Sequence, residues 1–340
     1  MKNLLIIGGC GFIGSNAVLY FLKKNYRVSV IDNLSGSSSK KNLNLIKKTY
    51  PKINFSKVNI KNYKNLSQFI KKLKPNYIIF AAGQVAVTKS VQNPREDFES
   101  TMLGAFNVLE SIRNYSSKSS LIYSSSNKVY GNLKKLKILE KKDCYQIRNK
   151  SMLIKETQEL DFSSPYGCSK GASDQYVRDY SRTYNLKTVV FRMSCIYGPN
   201  QWGTEDQGWI SWFIKKSQRK NNQSINIFGN GKQVRDILFI EDLIKLYEIS
   251  IKKFYKINGE IFNIGGGYEN KISLLQLIKK LKKINNHNLK IKFYKERIGD
   301  QKYFVNNLKK IKKTLGWKPR ISINKGIDIF NHWIKNNNLK

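Results

Sequence analysis

Short apolar runs alternate with amphipathic stretches through the first half of the chain. Each apolar run has the length of one strand, and each following stretch has the spacing of a helix that buries one face. The predicted strands are residues 4–8, 27–32, 53–60, 76–83, 120–126 and 186–194. The predicted helices are residues 12–24, 40–50, 63–73, 95–114 and 166–183. This order predicts an α/β fold with a doubly wound parallel sheet of the Rossmann type.

The regular alternation ends after the last of these strands. Residues 195–232 and 266–340 mix turns, short strands and helices such as 272–284. Between them, about residues 233–265 have the pattern of a helix and a strand that return to the main sheet. We therefore predict a large domain of residues 1–194 plus about 233–265, and a smaller, interleaved C-terminal lobe formed by the two remaining segments.

A glycine-rich loop joins the first predicted strand to the first predicted helix. It reads Gly-Gly-Cys-Gly-Phe-Ile-Gly over residues 8–14. Glycines here let the chain turn tightly, let a pyrophosphate approach the backbone and let the helix pack on the strand. The helix N-terminus then offers backbone amides to the phosphate. A tight turn without a ligand is the alternative, but the strand-loop-helix context favours a dinucleotide site.

The end of the second strand indicates which dinucleotide binds. Asp32 lies 18 residues after Gly14. Its carboxylate can accept hydrogen bonds from the adenosine ribose and would repel a 2′-phosphate, which favours NAD over NADP. After the third strand the chain has Asn59 and Asn62, so an amide would make any contact with adenine. The large domain is therefore predicted to bind NAD.

Tyr166 and Lys170 are candidates for the chemistry. They are four residues apart, which places both on one face of a helix. A tyrosine is a poor base at its ordinary pKa, so the phenolate needs a nearby cation, which Lys170 and the nicotinamide ring can supply. Ser126 ends a strand at the edge where open α/β sheets bind ligands, and we predict that it hydrogen-bonds the reacting oxygen. Ser124 is predicted to support the cofactor.

These motifs together resemble the NAD-dependent nucleotide-sugar epimerases and dehydratases of the extended short-chain dehydrogenase/reductase family. The similarity extends over essentially the whole chain and is carried by residues 81–99, 124–131, 161–182, 191–209 and 229–236. It implies an isomerase that oxidises a sugar carbon and returns the hydride to the opposite face. It favours C2 of a CDP-linked sugar as the substrate, with a product used for a surface polysaccharide such as O-antigen.

The resemblance also implies contacts for individual residues. The predicted cofactor contacts are Gly8, Gly11, Phe12, Ile13, Gly14, Asp32, Asn33, Ser35, Asn59, Ile60, Ala81, Ala82, Gly83, Ser124, Tyr166, Lys170 and Met193. The predicted substrate contacts are Gln84, Ser126, Cys195, Gln207, Arg235, Arg297 and Asp300. Among these, the two arginines are expected on the diphosphate and Asp300 on a ribose hydroxyl. The C-terminal lobe is expected to be the nucleotide-sugar-binding part. The stretch 202–213 is either pocket or core.

Two adjacent positions separate this chain from the dehydratases that it resembles. Sugar 4,6-dehydratases carry an Asp-Glu pair just after the hydroxyl residue of the serine strand, where they act as acid and base. Here the two residues are Asn127 and Lys128. An amide and an ammonium group cannot move protons in the same way, so the sequence argues against dehydration.

The chain carries an unusually large positive charge. The chain has 62 basic and 23 acidic residues, a net charge of +39. The lysines are spread along the whole chain, which favours compositional drift over a nucleic-acid-binding surface. The four cysteines have no metal-like spacing and no apolar run could span a membrane, so we predict no metal, no membrane contact and a reducing cytoplasm. A homodimer or homotetramer is expected from the resemblance.

Three other functions remain open at this point. The nearest is a related epimerase that acts at another carbon or on a UDP- or GDP-sugar. A second is a nucleotide-sugar reductase, which would consume added nicotinamide. The third is a non-catalytic Rossmann protein associated with nucleic acid, against which the Tyr166, Lys170 and Ser126 set argues.

Overall fold

A computed structural model describes residues 2–218, 224–286, 289–297 and 299–337. The chain divides into two compact units, each assembled from three segments. The first unit comprises Met1–Val129, Pro165–Arg192 and Ile244–Phe262. The second unit comprises Tyr130–Ser164, Met193–Leu243 and Asn263–Lys340.

The first unit is an alternation of strands and helices, numbered here along the whole chain. Its strands are β1 (Asn3–Ile7), β2 (Arg27–Asp32), β3 (Asn54–Lys57), β4 (Tyr77–Phe80), β5 (Ser120–Ser126), β8 (Lys187–Met193) and β12 (Ile261–Ile264). Its helices are α1 (Phe12–Lys23), α2 (Ser39–Thr49), α3 (Tyr63–Leu73), α4 (Val87–Gln92), α5 (Pro94–Phe98), α6 (Gly104–Tyr115), α7 (Pro165–Tyr184) and α9 (Ile240–Lys252), whose first turn lies in a segment of the second unit.

The seven strands form one sheet in the order β12-β8-β5-β4-β1-β2-β3. The pairs β1–β2, β2–β3, β1–β4 and β4–β5 are all parallel. The chain thus runs outward from β1 to β3 and then starts again on the other side of β1 with β4. Ligands of doubly wound sheets bind at the carboxyl ends of the strands where the order reverses. The predicted fold class is confirmed.

Both faces of the sheet are buried, as the continuous apolar runs predict. Successive side chains of β1 point to opposite faces, and Leu4 and Ile6 are as buried as Leu5 and Ile7. Leu5 and Ile7 belong to a core that includes side chains of α3, α6 and α7. Burial of these strands on two sides therefore sets the positions of their carboxyl ends.

The predicted helix over 95–114 differs from the structure. It is divided into α5, a π-helical turn at Glu99–Leu103, and α6. A π-turn adds one residue to a helix, which is too small a change for hydrophobic periodicity to reveal. Gly104 begins α6, and a Cβ there would lie 2.5 Å from Cδ1 of Ile60. The glycine therefore allows close packing at the start of α6.

The second unit is built from short strands and helices. Its strands are β6 (Ile138–Glu140), β7 (Tyr145–Ile147), β9 (Cys195–Tyr197), β10 (Ser224–Phe228), β11 (Val234–Phe239), β13 (Lys271–Ser273), β14 (Lys290–Tyr294) and β15 (Tyr303–Phe304). Its helices are α8 (Trp209–Ser217), α10 (Leu274–Asn285), α11 (Lys309–Leu315) and α12 (Ile323–Asn336).

Strand β11 organises the second unit. It pairs with β13 in antiparallel orientation and with β9 and β15 in parallel orientation. Strands β10 and β14 form a separate parallel pair, and β6 and β7 form an antiparallel pair. Because all six residues of β11 are buried, this strand is the core of the unit.

The unit boundaries differ from the predicted domain boundaries mainly in two stretches, and by two or three residues at 193–194 and 263–265. Residues 130–164 and 233–243 belong to the second unit, whereas they were predicted in the large domain. The reason lies in a small apolar cluster that joins Tyr145 and Ile147 of β7 to Val234 and Val305. Periodicity within 130–164 carries no information about this long-range packing. Which unit binds NAD and which binds a nucleotide sugar stays a prediction.

A buried ion pair ties α7 to β8. Nε of Arg192 lies 2.8 Å from Oδ2 of Asp174, and Nη2 lies 2.8 Å from Oδ1. The two side chains are 3% and 0% exposed. The hydroxyl of Ser125 on β5 donates to the same carboxylate at 2.9 Å. The carboxylate therefore joins one helix and two strands of the first unit.

Among the described residues, no helix is both long and apolar enough to span a bilayer.

Replacing Arg192 with methionine should lower the free energy of unfolding by about 3–5 kcal/mol, because it leaves the Asp174 carboxylate buried without its counter-charge. Urea unfolding of the purified variant measures this change. Arg95→Met is the control. Arg95 is 88% exposed and lies 3.7 Å from Glu99, so its loss should cost less than about 1 kcal/mol. Equal losses for both variants would contradict the prediction.

Candidate active site

The glycine loop lies at the carboxyl end of β1. The amides of Gly8 and Gly9 both donate to the carbonyl of Ile31, at 2.8 and 3.3 Å, and the amide of Gly11 donates to Gly8 at 3.1 Å. Gly8 has a φ of +79°, which favours glycine. Helix α1 begins at Phe12, and no side chain caps its N-terminus. Its first turn therefore presents backbone amides, as a phosphate site requires.

Close contacts inside the protein explain two of these glycines. A Cβ on Gly14 would lie 2.1 Å from the carbonyl oxygen of Gly8, and one on Gly8 would lie 2.6 Å from the amide nitrogen of Ala82. Neither distance is possible for non-bonded atoms. There is therefore no room for side chains where the loop, the start of α1 and the residues after β4 pack together. The backbone amide of Ala81 also donates to the carbonyl of Ile7 at 2.9 Å.

Asp32 ends β2 beside the loop and is buried. Its Oδ2 accepts from the amide of Cys10 at 3.0 Å and its Oδ1 accepts from the amide of Leu34 at 2.8 Å. Burial raises the pKa of Asp32, and the two backbone amides oppose this shift. After it, the amide and hydroxyl of Ser35 both donate to the side chain of Asn33, at 3.0 and 2.7 Å. These contacts shape the turn that follows β2.

The other predicted cofactor residues lie after β3 and β4 and at the end of β8. Asn59 accepts from the amide of Lys61 at 3.1 Å, whereas the side chain of Ile60 is part of the core, so only its backbone is available to a ligand. Gly83 has a φ of +129°. Met193 is the last residue of β8 and is buried.

Tyr166 lies in the first turn of α7 and is almost completely buried. Its amide donates to the hydroxyl of Ser90 at 3.1 Å, which fixes the start of the helix. Burial raises the pKa of Tyr166 to about 12, while a hydrogen bond with the Ser126 side chain lowers it. The structure thus brings together Ser126 at the end of β5 and the predicted base on α7, as the sequence predicts.

Lys170 lies one turn further along α7 and is also buried. Its ammonium group donates to the carbonyl of Ser124 at 3.0 Å and lies 5.2 Å from the ring centroid of Tyr123. Burial lowers the pKa of Lys170 to about 8, and the carboxylate of Asp97 raises it. Asp97 was not singled out from the sequence. The nearby hydroxyl of Ser124 shares a hydrogen bond of 3.0 Å with Tyr247.

In the second unit, Arg235 on β11 is buried and held in place. Its Nη2 lies 2.6 Å from Oδ1 of Asp300, and its Nη1 donates to the carbonyl of Val234 at 2.8 Å. Asp300 also accepts from the amide of Gln301 at 3.0 Å. Two predicted substrate contacts are therefore in direct contact with each other.

Arg297 lies at a cavity of the same unit. Its Nη2 lies 3.1 Å from Oδ1 of Asp206, and its guanidinium group lies 3.9 Å from the ring centroid of Phe228. The cavity has a volume of about 530 Å³, and Arg297, Asp300 and Lys302 are among its lining residues. Ile298, which lies between Arg297 and Asp300 in the sequence, is outside the described part of the chain. A concave, cationic surface of this kind fits a phosphorylated ligand.

The residues predicted to shape a sugar pocket make local contacts. The side chain of Gln84 is turned onto the backbone of Ala86, to which its amide donates at 2.6 Å. Trp209 donates through its indole to the sulfur of Cys195 at 3.5 Å. Gln207 is exposed and pairs through its backbone with Thr204. Within the stretch 202–213, Phe213 is core, while Trp202 and Trp209 are partly exposed.

The first unit fits a dinucleotide by its geometry. The glycine loop leaves space that a Cβ would fill, α1 begins without a side-chain cap, and Asp32 lies beside the loop. The hydroxyl oxygen of Thr101 is buried with no hydrogen-bond partner among the described residues, and it lies 3.4 Å from where a Cβ on Gly83 would be. A doubly wound sheet with this loop and a buried Tyr-Lys-Ser set defines an enzyme of the short-chain dehydrogenase class.

Comparison with known proteins assigns the family. The sequence model of GDP-mannose 4,6 dehydratase matches residues 5–330. CDP-paratose 2-epimerase of Salmonella typhi is 43% identical over 334 residues, which cover 97% of this chain and 98% of that protein. A putative UDP-glucose 4-epimerase of Methanocaldococcus jannaschii is 32% identical over 98% of this chain and 99% of its own length.

Solved structures agree with this assignment. UDP-glucose 4-epimerase of Thermotoga maritima, determined with UDP-glucose, is 28% identical with a TM-score of 0.85 over 99% of both chains. dTDP-glucose 4,6-dehydratase of Bacillus anthracis, in complex with NAD, is 25% identical with a TM-score of 0.82 over 100% of both chains. The chain belongs to the GDP-mannose 4,6 dehydratase family, a group of nucleotide-sugar epimerases and dehydratases among the extended short-chain dehydrogenases. The family and enzyme class predicted from the sequence are confirmed.

Gly14→Ala should lower the free energy of unfolding by roughly 2–4 kcal/mol, because the new Cβ meets backbone that cannot move away. Gly11→Ala is the matched control in the same loop. Gly11 has a φ of −70°, and a Cβ there lies 3.3 Å from the Gly8 oxygen. That variant should lose less than about 1 kcal/mol. Denaturant unfolding of the cofactor-free proteins measures both, and a reversed order of the losses would contradict the packing argument.

Proposed function

We propose that the chain is an NAD-dependent epimerase that converts CDP-paratose to CDP-tyvelose by inverting C2 of the sugar. The observation that carries the chemistry is the buried contact between Tyr166 and Ser126, with the ammonium group of Lys170 one helical turn away. The observation that favours this substrate is the 43% identity to the Salmonella typhi enzyme over almost the whole of both chains.

NAD is the proposed cofactor. The glycine loop and the start of α1 would hold its pyrophosphate, and the carboxylate of Asp32 would accept hydrogen bonds from the adenosine ribose. The same negative charge disfavours the 2′-phosphate of NADP. When bound, NAD supplies a hydride acceptor that later acts as a hydride donor. Because each cycle would restore it, turnover would need no added nicotinamide.

The side chains of the first unit would handle the proton. Tyr166 as phenolate takes the proton of the C2 hydroxyl, and Ser126 hydrogen-bonds the same oxygen. Burial is the largest cause of a Tyr166 pKa near 12, even with the hydrogen bond from Ser126, so the phenolate would depend on the positive charge of Lys170 and of the oxidised nicotinamide. After the keto sugar has turned, Tyr166 would return the proton to the same oxygen.

The two residues that directly follow Ser126 in the sequence support epimerisation over dehydration. Asn127 is buried, and its side-chain oxygen lies 3.4 Å from the Ser126 hydroxyl. The backbone amide of Lys128 donates to that hydroxyl at 3.2 Å. Water elimination needs an acid and a base at the sugar, and neither an amide nor an ammonium group supplies that pair. Oxidation and re-reduction would need one proton relay, at Tyr166, together with the hydride that bound NAD would accept and give back.

The arginines of the second unit are the proposed diphosphate ligands. Arg235 and Arg297 each lie against a carboxylate, Asp300 and Asp206 respectively. A diphosphate can replace a carboxylate on a guanidinium group with the same forked geometry. Asp300 would then bind a ribose hydroxyl of the CDP moiety. Gln84, Cys195 and Gln207 are the proposed contacts of the sugar.

A second candidate function is epimerisation of UDP-glucose at C4. The 32% identity to the putative UDP-glucose 4-epimerase of Methanocaldococcus jannaschii favours it. The side chains and the proton transfers would be the same, because only the carbon presented to Tyr166 differs. Substrate identity, and not the catalytic set, separates the two proposals.

Proton NMR of CDP-paratose with the purified protein and no added cofactor tests the function. We expect the C2 epimer to accumulate to equilibrium, which would support both the substrate and a retained NAD. UDP-glucose is measured in parallel. If only UDP-glucose reacts, the second candidate replaces the first. NADP instead of NAD in the supernatant of denatured protein would overturn the proposed role of Asp32.

Tyr166→Phe should lower kcat by about 10²–10⁴-fold, the usual contribution of a general acid–base group. Substrate binding should change little, because the ring is kept. Tyr176→Phe is the control on the same helix, where the side chain is 42% exposed. Initial rates of epimer formation compare the two variants with the wild type, and an unchanged kcat for Tyr166→Phe would exclude it as the base.

We propose that the enzyme works in the cytoplasm as a homodimer or homotetramer. All four cysteines are free thiols, which suits a reducing compartment. On α7, Tyr176 and Tyr184 are 42% and 45% exposed, and both contact Tyr180 edge-on or tilted. Phe98 of α5 is 53% exposed. Exposed aromatic groups on neighbouring helices are typical of a subunit interface.

Light scattering after gel filtration tests the oligomer. Replacing Tyr176 and Tyr184 together with glutamate should shift the wild-type oligomer towards the monomer, because charges would be buried in the interface. Tyr255→Glu is the control, since Tyr255 is 78% exposed and lies on a separate 3₁₀ turn. A wild-type monomer, or an unchanged mass for the double variant, would overturn this proposal.

A further inference from the structure

The cavity of the second unit has lining residues for which the proposed function names no role. Its volume of about 530 Å³ is within the usual range for a small-molecule pocket. Arg297 and Asp300, the proposed contacts of the diphosphate and of a ribose hydroxyl, both line it. Because the base of a nucleotide is attached to that ribose, it has to lie close to Asp300. The other lining residues are therefore candidates for contact with the base.

Buried contacts hold the two sides of this cavity together. The lining residues come from two segments, one that begins at Asn132 and one that includes Gly299. The side-chain amide of Gln301 donates to the carbonyl of Gly131 at 2.6 Å, and Gln301 is 0% exposed. A Cβ on Gly299 would lie 3.4 Å from the carbonyl oxygen of Ser163. The groups on both segments are therefore held in place before a ligand binds.

Asn132 offers hydrogen-bond donors to the cavity. Its side-chain oxygen accepts from the hydroxyl of Ser163 at 3.1 Å, which leaves the N–H groups of the same amide as donors. On the pairing edge of cytosine, N3 is an acceptor, whereas N3 of uracil carries a hydrogen and is a donor. An amide donor that faces N3 therefore suits cytosine and is mismatched with uracil.

Glu296 lines the same cavity and offers only acceptors. Its Cγ lies 3.8 Å from where a Cβ on Gly229 would be, so its side chain packs beside the loop that follows β10. No described residue forms an ion pair or a hydrogen bond with its carboxylate. A carboxylate accepts hydrogen bonds from the 4-amino group of cytosine. Uracil has an oxygen at that position, and two acceptors that face each other repel.

Two lysines of the cavity favour the opposite base. Lys134 and Lys302 are lining residues, and an ammonium group suits the 4-oxygen of uracil. Both side chains are exposed, and the ammonium group of Lys302 lies 5.7 Å from the ring centroid of Tyr145. Exposed ammonium groups remain hydrated and contribute little to a hydrogen-bonded or ionic contact. The carboxylate of Glu296 and the amide of Asn132 are therefore the stronger determinants of the base.

We propose that this cavity selects cytosine over uracil: Glu296 accepts hydrogen bonds from the 4-amino group, and Asn132 donates to N3. Leu133 and Leu136 supply apolar surface for the faces of the ring. Uracil would leave both polar contacts mismatched inside the cavity, which costs affinity. The proposal rests on the proposed function, because the diphosphate and ribose contacts that place the base are taken from there.

Binding of free CDP and UDP to the purified holoenzyme tests this selection without any sugar chemistry. Isothermal titration calorimetry gives a Kd for each nucleotide, and the ratio of the two values is the readout. A general change in charge alters both affinities alike, so it cancels in the ratio. Glu269→Gln is the control, because Glu269 belongs to the same unit, is 84% exposed and pairs at the surface with Lys150.

The wild type should bind CDP about tenfold or more tightly than UDP. In Glu296→Gln the ratio should fall to within about threefold of one, because a glutamine amide both accepts and donates and so pairs with either base. Glu296→Lys should reverse the preference, since an ammonium group donates to the 4-oxygen of uracil. Asn132→Asp should also shift the ratio towards UDP, because a carboxylate accepts from N3–H. Glu269→Gln should match the wild type.

A wild-type ratio near one, or a preference for UDP, would overturn the proposal. So would a preference for CDP that persists in both Glu296→Gln and Glu296→Lys, and in that case the proposed substrate still stands. If CDP is preferred through Glu296 but CDP-paratose is not epimerised, the proposed reaction fails and the base selection remains. If neither nucleotide binds, the nucleotide contacts of the proposed function fail together with this inference.

Discussion

A positive charge buried at the carboxyl end of β5 is the constraint on which the site depends. The ammonium group of Lys170 lies against the Ser124 carbonyl and the Tyr123 ring, and the charge of Asp97 acts on it. In this environment burial pulls the pKa of the lysine down towards 8 and that of Tyr166 up towards 12. The chemistry of the pair therefore depends on a balance between desolvation and a small number of charges.

The sheet makes this balance possible because parallel strands end at one edge. The reversal of strand order beside β1 opens that edge, and the glycine loop, Asp32 and Ser126 all lie at strand ends there. Helix α7 is fixed against the same edge by the Asp174–Arg192 ion pair. The candidate catalytic residues thus lie on a sheet that is buried on both faces and on a helix packed against it. Their side chains therefore have little freedom to move.

The second unit offers a different kind of site. Arg235 and Arg297 lie against carboxylates, and Arg297 also lines a cavity. An anionic ligand would therefore exchange one acidic partner for another and would not meet bare charges. This exchange suits reversible binding of a diphosphate at a protein whose net charge is already +39. The spread of that charge along the sequence gave no indication of where the two arginines lie.

Local pattern in the sequence was sufficient for the strands, the glycine loop and the Tyr166–Lys170 spacing, because each depends on residues that are close along the chain. The resemblance to the family added Arg235 and Arg297. Only the tertiary structure decided the burial of Asp97, the ion pair of Asp174 with Arg192, and the membership of residues 130–164 in the second unit. These features depend on packing between segments that are distant in sequence, about which periodicity carries no information.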